Sequence, residues 1–576
     1  MRLTYRLKNF KAFKDTGAMN IAPITVLCGA NSSGKSSVLK SLLLIKQSSV
    51  ERRSGLAKEV QSPPLLLNGE WTRLGSYSDM VHLKNRKSSV EFNWSAVGDI
   101  REIDKELGPR FRRTGGYRGD REIRVHISST FASDSALSEE LATYLASTQM
   151  TIGELAIGLS GSNSQSMRSG IYRIRINDVS KLLNRYESSF KRYTIYENVE
   201  LGKLLVKSSH SIETGNVRVR LAGPFVLDLE PVFDGSWEPF LARLLSIALS
   251  DRTGKRGPVP SWFIDLQAAV KDFGAARDDD NLKSKAALSA RVNKVLSLAR
   301  YLLLDVQAAF LLGRISVSPL WRQIRYLGPL RHQPQRYYQF DDTGGIDIGV
   351  SGEFTVQVLA LEADNVVSSN PIASNADGEV TLLNRQDFSL IDLTNYWLDL
   401  MGLPSVTPAT LRQSLYEMKV GKLEVALPDV GFGVSQVLPI IVEALRAMPG
   451  ETVILEQPEI HLHPRVQAVL ADFLIARSND GIRFIVETHS DHLVKRLARR
   501  IAEGSISKIS ERIAVFFVAG GAEEGSAPSQ ILINEYGEIQ NWPPGFFDQN
   551  EDLYWTAASL RRRRSLKKKL REVAPE

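Results

Sequence analysis

Hydrophobic and polar residues alternate at the start of the chain, which predicts a β-strand. Leu3, Tyr5 and Leu7 fall on one face, and polar or basic residues fall on the other. A second apolar run, Ile24 to Cys28, is followed by glycine, and Ser36 to Ile45 then repeats apolar residues at helical spacing. This order predicts a strand, a glycine-rich loop and a helix.

Between Val90 and Phe233 the apolar runs are mostly of the β type, and serine-rich polar stretches such as Ser160 to Ser169 separate them. The predicted strands are Val90 to Trp94, Ile123 to Ile127, Ile171 to Ile176, Tyr193 to Tyr196 and Val217 to Leu221. After Gly235 the period becomes helical. The predicted helices are Trp237 to Leu249, Ser261 to Phe273 and Leu282 to Leu312.

A β-rich region resumes near Ile324 and includes a predicted strand at Leu423 to Leu427. Helices and strands then alternate, which is typical of a largely parallel sheet. The predicted elements are helix Val434 to Met448, strand Thr452 to Leu455, helix Arg465 to Arg477, strand Arg483 to Val486 and helix Asp491 to Ile501. The predicted fold class is therefore α/β.

Composition restricts the class of protein. Hydrophobic residues make up 43% and charged residues 24% of the 576 residues, which excludes wholesale disorder. The single cysteine, Cys28, excludes a disulfide scaffold and a cysteine-rich zinc site, and it fits the cytoplasm. Met1 to Asp15 lacks the apolar core of a secretory signal, and Arg300 and Asp305 interrupt the apolar stretch Val295 to Gly313. We expect a cytoplasmic protein with no membrane partner.

The net charge of +7 is local. Residues 561–576 hold eight basic and two acidic residues, so the rest of the chain is close to neutral. This excludes a strongly basic body, and nucleic-acid binding would need local patches.

The strongest motif follows the second predicted strand, Ile24 to Cys28. Gly29 to Ser36 matches GxxxxGK[ST], the P-loop, whose backbone N–H groups cradle phosphates. Lys35 would reach the β- and γ-phosphate oxygens, and the Ser36 hydroxyl would bind Mg²⁺. The alternative is a glycine-rich turn without a ligand. The residues expected to bind ATP here are Gly29, Asn31, Ser32, Ser33, Gly34, Lys35, Ser36 and Ser37.

A P-loop enzyme also needs a carboxylate at a strand end to hold Mg²⁺. The strand Thr452 to Leu455 ends in Glu456, Gln457 and Glu459, and Glu456 lies 421 residues beyond Lys35. That separation predicts a nucleotide-binding domain split by insertions. The next predicted strand ends at His489, which is a candidate to bond the γ-phosphate or position water, although a lone histidine is more often structural.

The split predicts five segments. They are an N-terminal half of the ATPase domain at 1–80, a β-rich region at 81–235, a helical insertion at 236–320, a C-terminal half at 321–548 and a basic tail at 549–576.

A second anion site is predicted where Gly431 to Gln436 opens a helix. The free N–H groups of the first turn and the Ser435 hydroxyl are suited to a phosphate.

Taken in order, these motifs resemble those of ABC-type ATPases related to SMC chromosome proteins and double-strand-break repair ATPases. The strings are the P-loop, the Gly-Val-Ser-Gln helix start, Leu455 to Pro464 and Glu487 to Ser490. More narrowly, they resemble the ATPase domains of OLD-family proteins and the stand-alone ATPase subunits of anti-phage systems such as Septu and several retrons. Leu327 to Arg331 and Gly537 to Phe547 also look like that branch. The resemblance covers about residues 1–80 and 320–548.

The resemblance implies a role for each matching residue. Lys35 and Ser36 would be Walker A, Glu456 would stand at the Walker B magnesium position, and His489 would be the switch histidine. Gly433, Ser435 and Gln436 would form the signature that caps the γ-phosphate of a second protomer, although Asp429 to Gly433 departs from the usual LSGGQ spelling. The resemblance also implies a head-to-head homodimer with two ATP molecules between the protomers. Gln47 is a candidate Q-loop residue or a solvated helix position.

One departure from the family pattern affects the rate. Alignment on Pro458 puts Gln457 where the water-polarising glutamate normally stands. A glutamine amide orients water but does not accept its proton, so hydrolysis should be slow unless Glu459 substitutes.

Two other activities are weighed against the ATPase reading. His461 and His463 with Glu459 invite a metal site, but they lie within a string that the resemblance already explains. A Toprim nuclease domain follows the ATPase in OLD proteins and needs a DxD-type carboxylate cluster. The 87 residues after His489 contain Glu523 and Glu524, but no DxD string follows them. We expect no intrinsic nuclease.

Two basic segments are candidate nucleic-acid contacts. The tail Arg561 to Arg571 either binds phosphate backbones or is a solvated terminus. The loop Gly108 to Gly119, in which arginines alternate with aromatic residues, suits single-stranded nucleic acid, but its composition favours a disordered surface loop.

Three functions remain open. The leading one is an ATPase dimer that scaffolds or licenses an effector partner such as a nuclease in bacterial anti-phage defence. The alternatives are a RecF/SMC-type DNA-repair ATPase that binds DNA directly and an assembly protein that binds ATP without turnover. The helical insertion is too short and too broken for an SMC coiled coil.

Overall fold

The computed structural model describes most of the two ends of the chain and part of the middle. The described residues are 2–50, 64–99, 122–134, 143–152, 155–161, 171–177, 212–213, 217–221, 229–231, 320, 323–339, 347–375, 378–412, 415–504, 506, 508–520 and 525–541. The predicted helices between 236 and 320, the loop Gly108 to Gly119, the strand Tyr193 to Tyr196 and the basic tail lie outside these residues.

Strands and helices are numbered in chain order over the described residues. The strands before residue 235 are β1 Arg2–Phe10, β2 Phe13–Asp15, β3 Met19–Ile21, β4 Ile24–Gly29, β5 Val90–Asp99, β6 Glu122–Ser133, β7 Thr143–Ile152, β8 Leu155–Ser160, β9 Ile171–Asn177, β10 Ile212–Glu213, β11 Val217–Leu221 and β12 Leu229–Pro231. The later strands are β13 Ile324–Leu327, β14 Tyr338–Gln339, β15 Val366–Ser369, β16 Ile372–Ser374, β17 Val380–Leu382, β18 Gln386–Ser389, β19 Val406–Arg412, β20 Leu415–Val420, β21 Val425–Ala426, β22 Thr452–Glu456, β23 Arg483–Glu487, β24 Ile513–Ala519 and β25 Ala527–Ile531. The α-helices are α1 Lys35–Val50, α2 Tyr77–Met80, α3 Thr355–Glu362, α4 Leu390–Leu400, α5 Phe432–Arg446, α6 Pro464–Asn479 and α7 Asp491–Glu503. Short 3₁₀ turns occupy His82–Lys84, Leu427–Asp429 and Ile509–Arg512.

An antiparallel sheet is built from both sides of residue 80. Its described order is β12-β11-β9-β8-β7-β6-β5-β1-β2, with β3 on β1 and β10 on β9. The alternation predicted at the start of the chain is confirmed, because Leu3, Tyr5 and Leu7 are buried on one face. The sheet therefore continues across the boundary expected at residue 80.

The second large sheet joins the two ends of the chain. Its order is β13-β22-β23-β4-β24-β25, in which the first five strands run parallel and β25 runs antiparallel. The P-loop strand β4 lies between β23 and β24, although it precedes both by more than 450 residues. The fold is thus an α/β P-loop ATPase domain whose sheet is split in sequence, as the motif spacing predicts.

Alternate residues of this parallel sheet face two different cores. Leu27, Ile454 and Ile485 face the core shared with α1 and the antiparallel sheet. Their neighbours Val26 and Val486 face the core shared with helices α3 to α7. The sheet is the middle of three layers, which fixes the carboxyl ends of its strands at one edge.

The β-rich prediction after Ile324 is wrong in two places. The region also contains helices α3 and α4, whose buried faces pack into the second core. The strand expected at Leu423 to Leu427 is instead a turn followed by two residues of β21 and a 3₁₀ turn. Gly421 and Glu424 adopt φ values of 68° and 51°, so the chain reverses there and an extended strand is excluded.

Candidate functional site

The P-loop forms a tight turn between β4 and α1. Gly29 and Gly34 have φ values of 144° and 107°, a region that favours glycine. A Cβ added at Gly29 would lie 2.4 Å from the carbonyl oxygen of Val518, and one at Gly34 would lie 2.8 Å from Ala12 Cβ. Both positions therefore require glycine, which lets the loop backbone approach a ligand closely.

Lys35 is folded over its own loop. Its Nζ donates to the carbonyl oxygens of Gly29 at 3.2 Å and Ala30 at 2.7 Å. Burial lowers the pKa of Lys35, and Glu487 is the strongest of the groups that oppose this shift. An ammonium group held only by neutral carbonyls can exchange them for phosphate oxygens without breaking an ion pair.

The Walker A serine contacts a carboxylate that sequence reasoning did not select. Ser36 Oγ donates to Oε1 of Glu487 at 2.9 Å, although 451 residues separate them. Glu487 ends β23, which pairs directly with the P-loop strand, and Glu487 stands opposite Leu27. The available signal was the string Glu487 to Ser490, in which only His489 was given a role.

Glu456, the predicted magnesium position, lies one strand further from the P-loop. It stands opposite Glu487 in the register of β22 and β23, and its Oε1 accepts from the Tyr326 hydroxyl at 3.0 Å. Burial, followed by the nearby charge of Glu487, raises the pKa of Glu456 to about 7. The two adjacent buried carboxylates, Glu456 and Glu487, give the site two oxygen donors of the kind Mg²⁺ prefers.

Gln457, Glu459 and His489 lie on neighbouring loops at the same sheet edge. The Gln457 N–H donates to the Glu487 carbonyl at 2.7 Å, and Gln457 has a left-handed φ of 45°. Oε1 of Glu459 accepts from the backbone N–H of His489 at 2.6 Å. Burial and then Lys35 lower the pKa of His489, which favours the neutral imidazole. Backbone N–H groups thus tie Gln457 to Glu487 and His489 to Glu459.

Several polar atoms at this edge are buried without a partner among the described residues. They include both kinds of group: donors on Ser33 and Arg331, and carboxylate oxygens on Glu459 and Glu487. Buried polar groups are nearly always satisfied, so such a concentration points to a missing ligand. A ligand with phosphate oxygens for the donors and a cation for the carboxylates fits, and Mg²⁺ with a nucleoside triphosphate has both.

The predicted signature residues lie at the start of α5, which begins at Phe432 with Gly431 as its cap and no side-chain cap hydrogen bond. Ser435 is buried, and its Oγ donates to the Phe432 carbonyl at 3.0 Å. Ser435 lines a surface cleft with His332 and Glu353, and no described hydrogen bond or ion pair joins it to the P-loop. The structure therefore brings Gln457, Glu459 and His489 to the P-loop edge and shows no bond from the signature residues to the P-loop among the described residues.

The remaining candidates have other partners. Gln47 is fully buried, and its amide is used by Leu66 and Thr72, so it is neither solvated nor free to bind a ligand. His463 accepts from Arg465 N–H at the start of α6, and His461 lies against the Phe432 ring. In the described ranges, no group of three His, Cys, Asp or Glu side chains is placed to hold a metal ion.

Three family models match successive parts of the chain. Residues 4–213 match the family described as AAA ATPase domain. Residues 241–495 match the family described as AAA domain, putative AbiEii toxin, Type IV TA system. Residues 510–554 match a family described as a protein of unknown function, DUF3696. A comparison with curated proteins finds no match.

Solved structures with some likeness to the chain include three SMC head domains, each 10% identical to it. The match to an Smc head bound to the C-winged helix domain of ScpA covers 93% of this chain and 98% of the Smc head chain, with a TM-score of 0.32. An Smc head with an extended coiled coil, bound to the C-terminal domain of ScpA from Pyrococcus furiosus, covers 92% and 95% with a TM-score of 0.31. An Smc head with a coiled coil and joint from Pyrococcus yayanosii covers 92% and 97% with a TM-score of 0.30.

Among the described helices, none combines the length and the apolar character needed to cross a bilayer.

The P-loop geometry and the family matches agree. A P-loop strand from the N-terminal part lies in one sheet with two acidic strands from the C-terminal part, and each part matches an AAA ATPase domain model. Together they support an ATPase with AAA-type domains.

Proposed function

We propose that the protein is a cytoplasmic ATPase that binds ATP and Mg²⁺, hydrolyses ATP slowly and forms a homodimer around the nucleotide. In this proposal the ATP-bound dimer scaffolds or licenses an effector partner, such as a nuclease, in bacterial anti-phage defence. The observation that carries it is the set of buried, unpartnered donors and carboxylate oxygens at the P-loop edge of the parallel sheet.

Each residue at this edge has a distinct task toward the nucleotide. The P-loop N–H groups and the start of α1 hold phosphates, and Lys35 releases its carbonyl partners to bind the terminal ones. Ser36, Glu487 and Glu456 would hold Mg²⁺, directly or through water. The bound ion would neutralise charge on the β- and γ-phosphates.

The environment of Gln457 and Glu459 supports slow hydrolysis. Gln457 offers only an amide to the attacking water. Glu459 has one oxygen committed to the His489 N–H, and its other oxygen, Oε2, is buried without a described partner. Glu459 Oε2 is therefore a candidate proton acceptor, while Oε1 stays committed to the His489 N–H. We expect fewer than about one turnover per second, below the usual enzyme range.

The position of the signature supports a dimer. Phe432 at the start of α5 is 64% exposed, and the N–H groups of the first turn lack a side-chain cap. No described hydrogen bond joins them to the P-loop of the same chain, and we infer that they bind the γ-phosphate of a second protomer. A head-to-head pair would place each signature over the partner's nucleotide.

The effector role has weaker support. The description of the matched C-terminal family names a putative toxin of a type IV toxin–antitoxin system, which favours a role alongside a partner in defence. The Gln457 substitution favours a long-lived ATP state, which suits a scaffold better than a motor.

Oligomeric state tests the dimer. Light scattering on the purified protein should show a monomer without nucleotide and a dimer in Mg²⁺ and ATP. Lys35→Ala should abolish dimerisation and weaken ATP binding about 100-fold, whereas Ser435→Arg should abolish dimerisation and leave ATP binding intact. A monomer in ATP, or a dimer retained by Ser435→Arg, would contradict the proposed arrangement.

Turnover tests the slow-ATPase part. Phosphate release by the isolated protein should stay below about one per second, under the usual range of enzyme rates. Many turnovers per second that persist in Glu459→Gln would contradict the proposal of slow hydrolysis.

The effector part is tested by mass spectrometry of the native complex purified in Mg²⁺ and ATP. A stoichiometric nuclease or other toxic protein, absent from Lys35→Ala preparations, is expected. A self-dimer carrying only DNA would favour the repair-type ATPase instead.

A further inference from the structure

Arg331 lies on a short loop at the carboxyl edge of the parallel sheet, next to the P-loop site. The loop follows β13, the strand beside β22. Hydrogen bonds fix it on both sides of the arginine: the Gly328 N–H donates to Val350 O at 2.8 Å, and the His332 N–H donates to Ser351 O at 2.9 Å. The backbone on both sides of Arg331 is therefore fixed, while its guanidinium makes no described hydrogen bond.

Two of the three guanidinium nitrogens, Nε and Nη1, are buried without a hydrogen-bond partner in the described part of the chain. Burial lowers the pKa of Arg331 to about 10, and Tyr326, Glu459 and Glu456 act against this shift. An arginine in this state is costly unless a ligand accepts its N–H groups. The planar fork fits two oxygens of a carboxylate or a phosphate.

The charged groups near Arg331 overlap with those near the P-loop lysine. Glu459 interacts electrostatically with Lys35 and with Arg331. Glu456 interacts with Arg331 and stands opposite Glu487, which bonds Ser36. Arg331 and Lys35 thus share Glu459 as a charged neighbour and come from two different loops. An anion placed between them would complete the hydrogen bonds of both cations.

We propose that Arg331 binds the γ-phosphate of ATP in cis, so that the site distinguishes ATP from ADP. The proposal rests on the proposed ATPase function and deepens it. The P-loop backbone and the start of α1 take the inner phosphates. Arg331 comes from the Glu456 side, where the terminal phosphate and the attacking water lie in a P-loop ATPase. The strand order, rather than any local motif, brings Arg331 there.

The competing role for Arg331 is to neutralise Glu456 and Glu459 without touching nucleotide. In that case its removal would weaken Mg²⁺-dependent binding of ATP and ADP alike. Only a direct contact to the γ-phosphate makes the loss specific to the triphosphate.

Calorimetric titrations with ADP and with a non-hydrolysable ATP analogue, both in Mg²⁺, separate the two roles. Arg331→Met should weaken binding of the ATP analogue on the order of 10- to 100-fold, the size of a lost charge-assisted hydrogen bond. Binding of ADP should change by less than about twofold, which also shows that the site is folded. Arg331→Lys, which keeps the charge but not the fork, should lose less. Arg2→Met, which removes an exposed arginine of β1, is the matched control and should change neither affinity.

An equal loss for both nucleotides, or no loss for either, would overturn the role of Arg331. If Arg331→Met does not fold, Arg331→Lys decides by the same ratio of affinities. Failure of the wild-type protein to bind either nucleotide would instead overturn the proposed ATPase function.

Discussion

Two clusters of buried charge in the C-terminal part of the chain differ in how well they are paired. In the α6–α7 cluster, defined by Asp472, Arg496, Arg500 and Glu503, Arg500 donates to Asp472 at 2.7 Å and to Glu503 at 2.6 Å. Burial opposes the charge of Arg500, but Asp472 and Glu503 outweigh it and raise its pKa. In the nucleotide cluster, defined by Lys35, Arg331, Glu456, Glu459 and Glu487, burial prevails and lowers the pKa of Arg331 to about 10.

The difference separates charges that hold the fold from charges that await a ligand. None of the side-chain atoms of the α6–α7 cluster is among the buried, unpartnered atoms of the described residues, whereas the nucleotide cluster contributes atoms of Arg331, Glu459 and Glu487. Burial alone does not identify a binding site, since Arg500 is the more buried arginine. The unmet hydrogen-bonding capacity identifies it.

The first prediction compares the two arginines in stability. Arg500→Met removes its hydrogen bonds to Asp472 and Glu503, which keep only Arg496 and Arg499 as described partners, so the free energy of unfolding should fall by about 3 kcal/mol. Arg331→Met removes a group that makes no described hydrogen bond, so its effect should stay within about 1 kcal/mol. Urea denaturation without nucleotide measures both. Equal losses would break the comparison.

The second prediction concerns pH and the nucleotide cluster. The pKa of Glu456 is raised to about 7 from an ordinary 4.5, so the folded state holds this proton more tightly than the unfolded state. Stability should therefore fall as pH rises from about 4.5 to about 7, by up to about 3 kcal/mol. Glu456→Gln should remove this dependence, while Glu511→Gln, at an exposed site, should keep it. Urea denaturation in EDTA across this range checks the slope; a slope unchanged by Glu456→Gln would contradict the assignment.

The third prediction concerns the cation that both nucleotides need. Lys35→Ala removes the P-loop ammonium group, and affinity for ATP and ADP should fall about 100-fold. Lys84→Ala, which removes an exposed lysine paired with Asp79, should leave both affinities unchanged. Titration calorimetry provides the measurement. Wild-type affinity in Lys35→Ala would mean that the nucleotide binds elsewhere.

The smallest expected effect is on turnover. Gln457→Glu restores a carboxylate next to Glu456, and a positioned base should raise the rate of phosphate release about tenfold or more. Gln457→Asn keeps an amide and serves as the matched control. An unchanged rate in Gln457→Glu would show that Glu459 already supplies the base.

The repeating parts of the fold could be predicted from the sequence. Strands β4, β22 and β23 and helices α5 to α7 lie within about two residues of their predicted bounds, because their period and their glycine or proline boundaries are local signals. The turn at Gly421 and Glu424 was missed, since an apolar residue between them resembles a strand. Helices α3 and α4 were missed because their neighbours are short strands.

The site was only half predictable for a related reason. The P-loop, Glu456 and His489 carry their own local signals. The contact between Ser36 and Glu487 depends on the order of the strands in the sheet. The position of Arg331 depends on the pairing of β13 with β22. Hydrogen bonds between residues 451 positions apart leave no trace in local spacing.

The most direct test of the account is a crystal structure with Mg²⁺ and a non-hydrolysable ATP analogue. We expect the triphosphate on the P-loop, with Lys35 and Arg331 both within hydrogen-bond distance of γ-phosphate oxygens. We expect Mg²⁺ beside Ser36, Glu487 and Glu456. A bound triphosphate with Nε and Nη1 of Arg331 still unpartnered would contradict the claim that unmet buried charge marks the ligand in this protein.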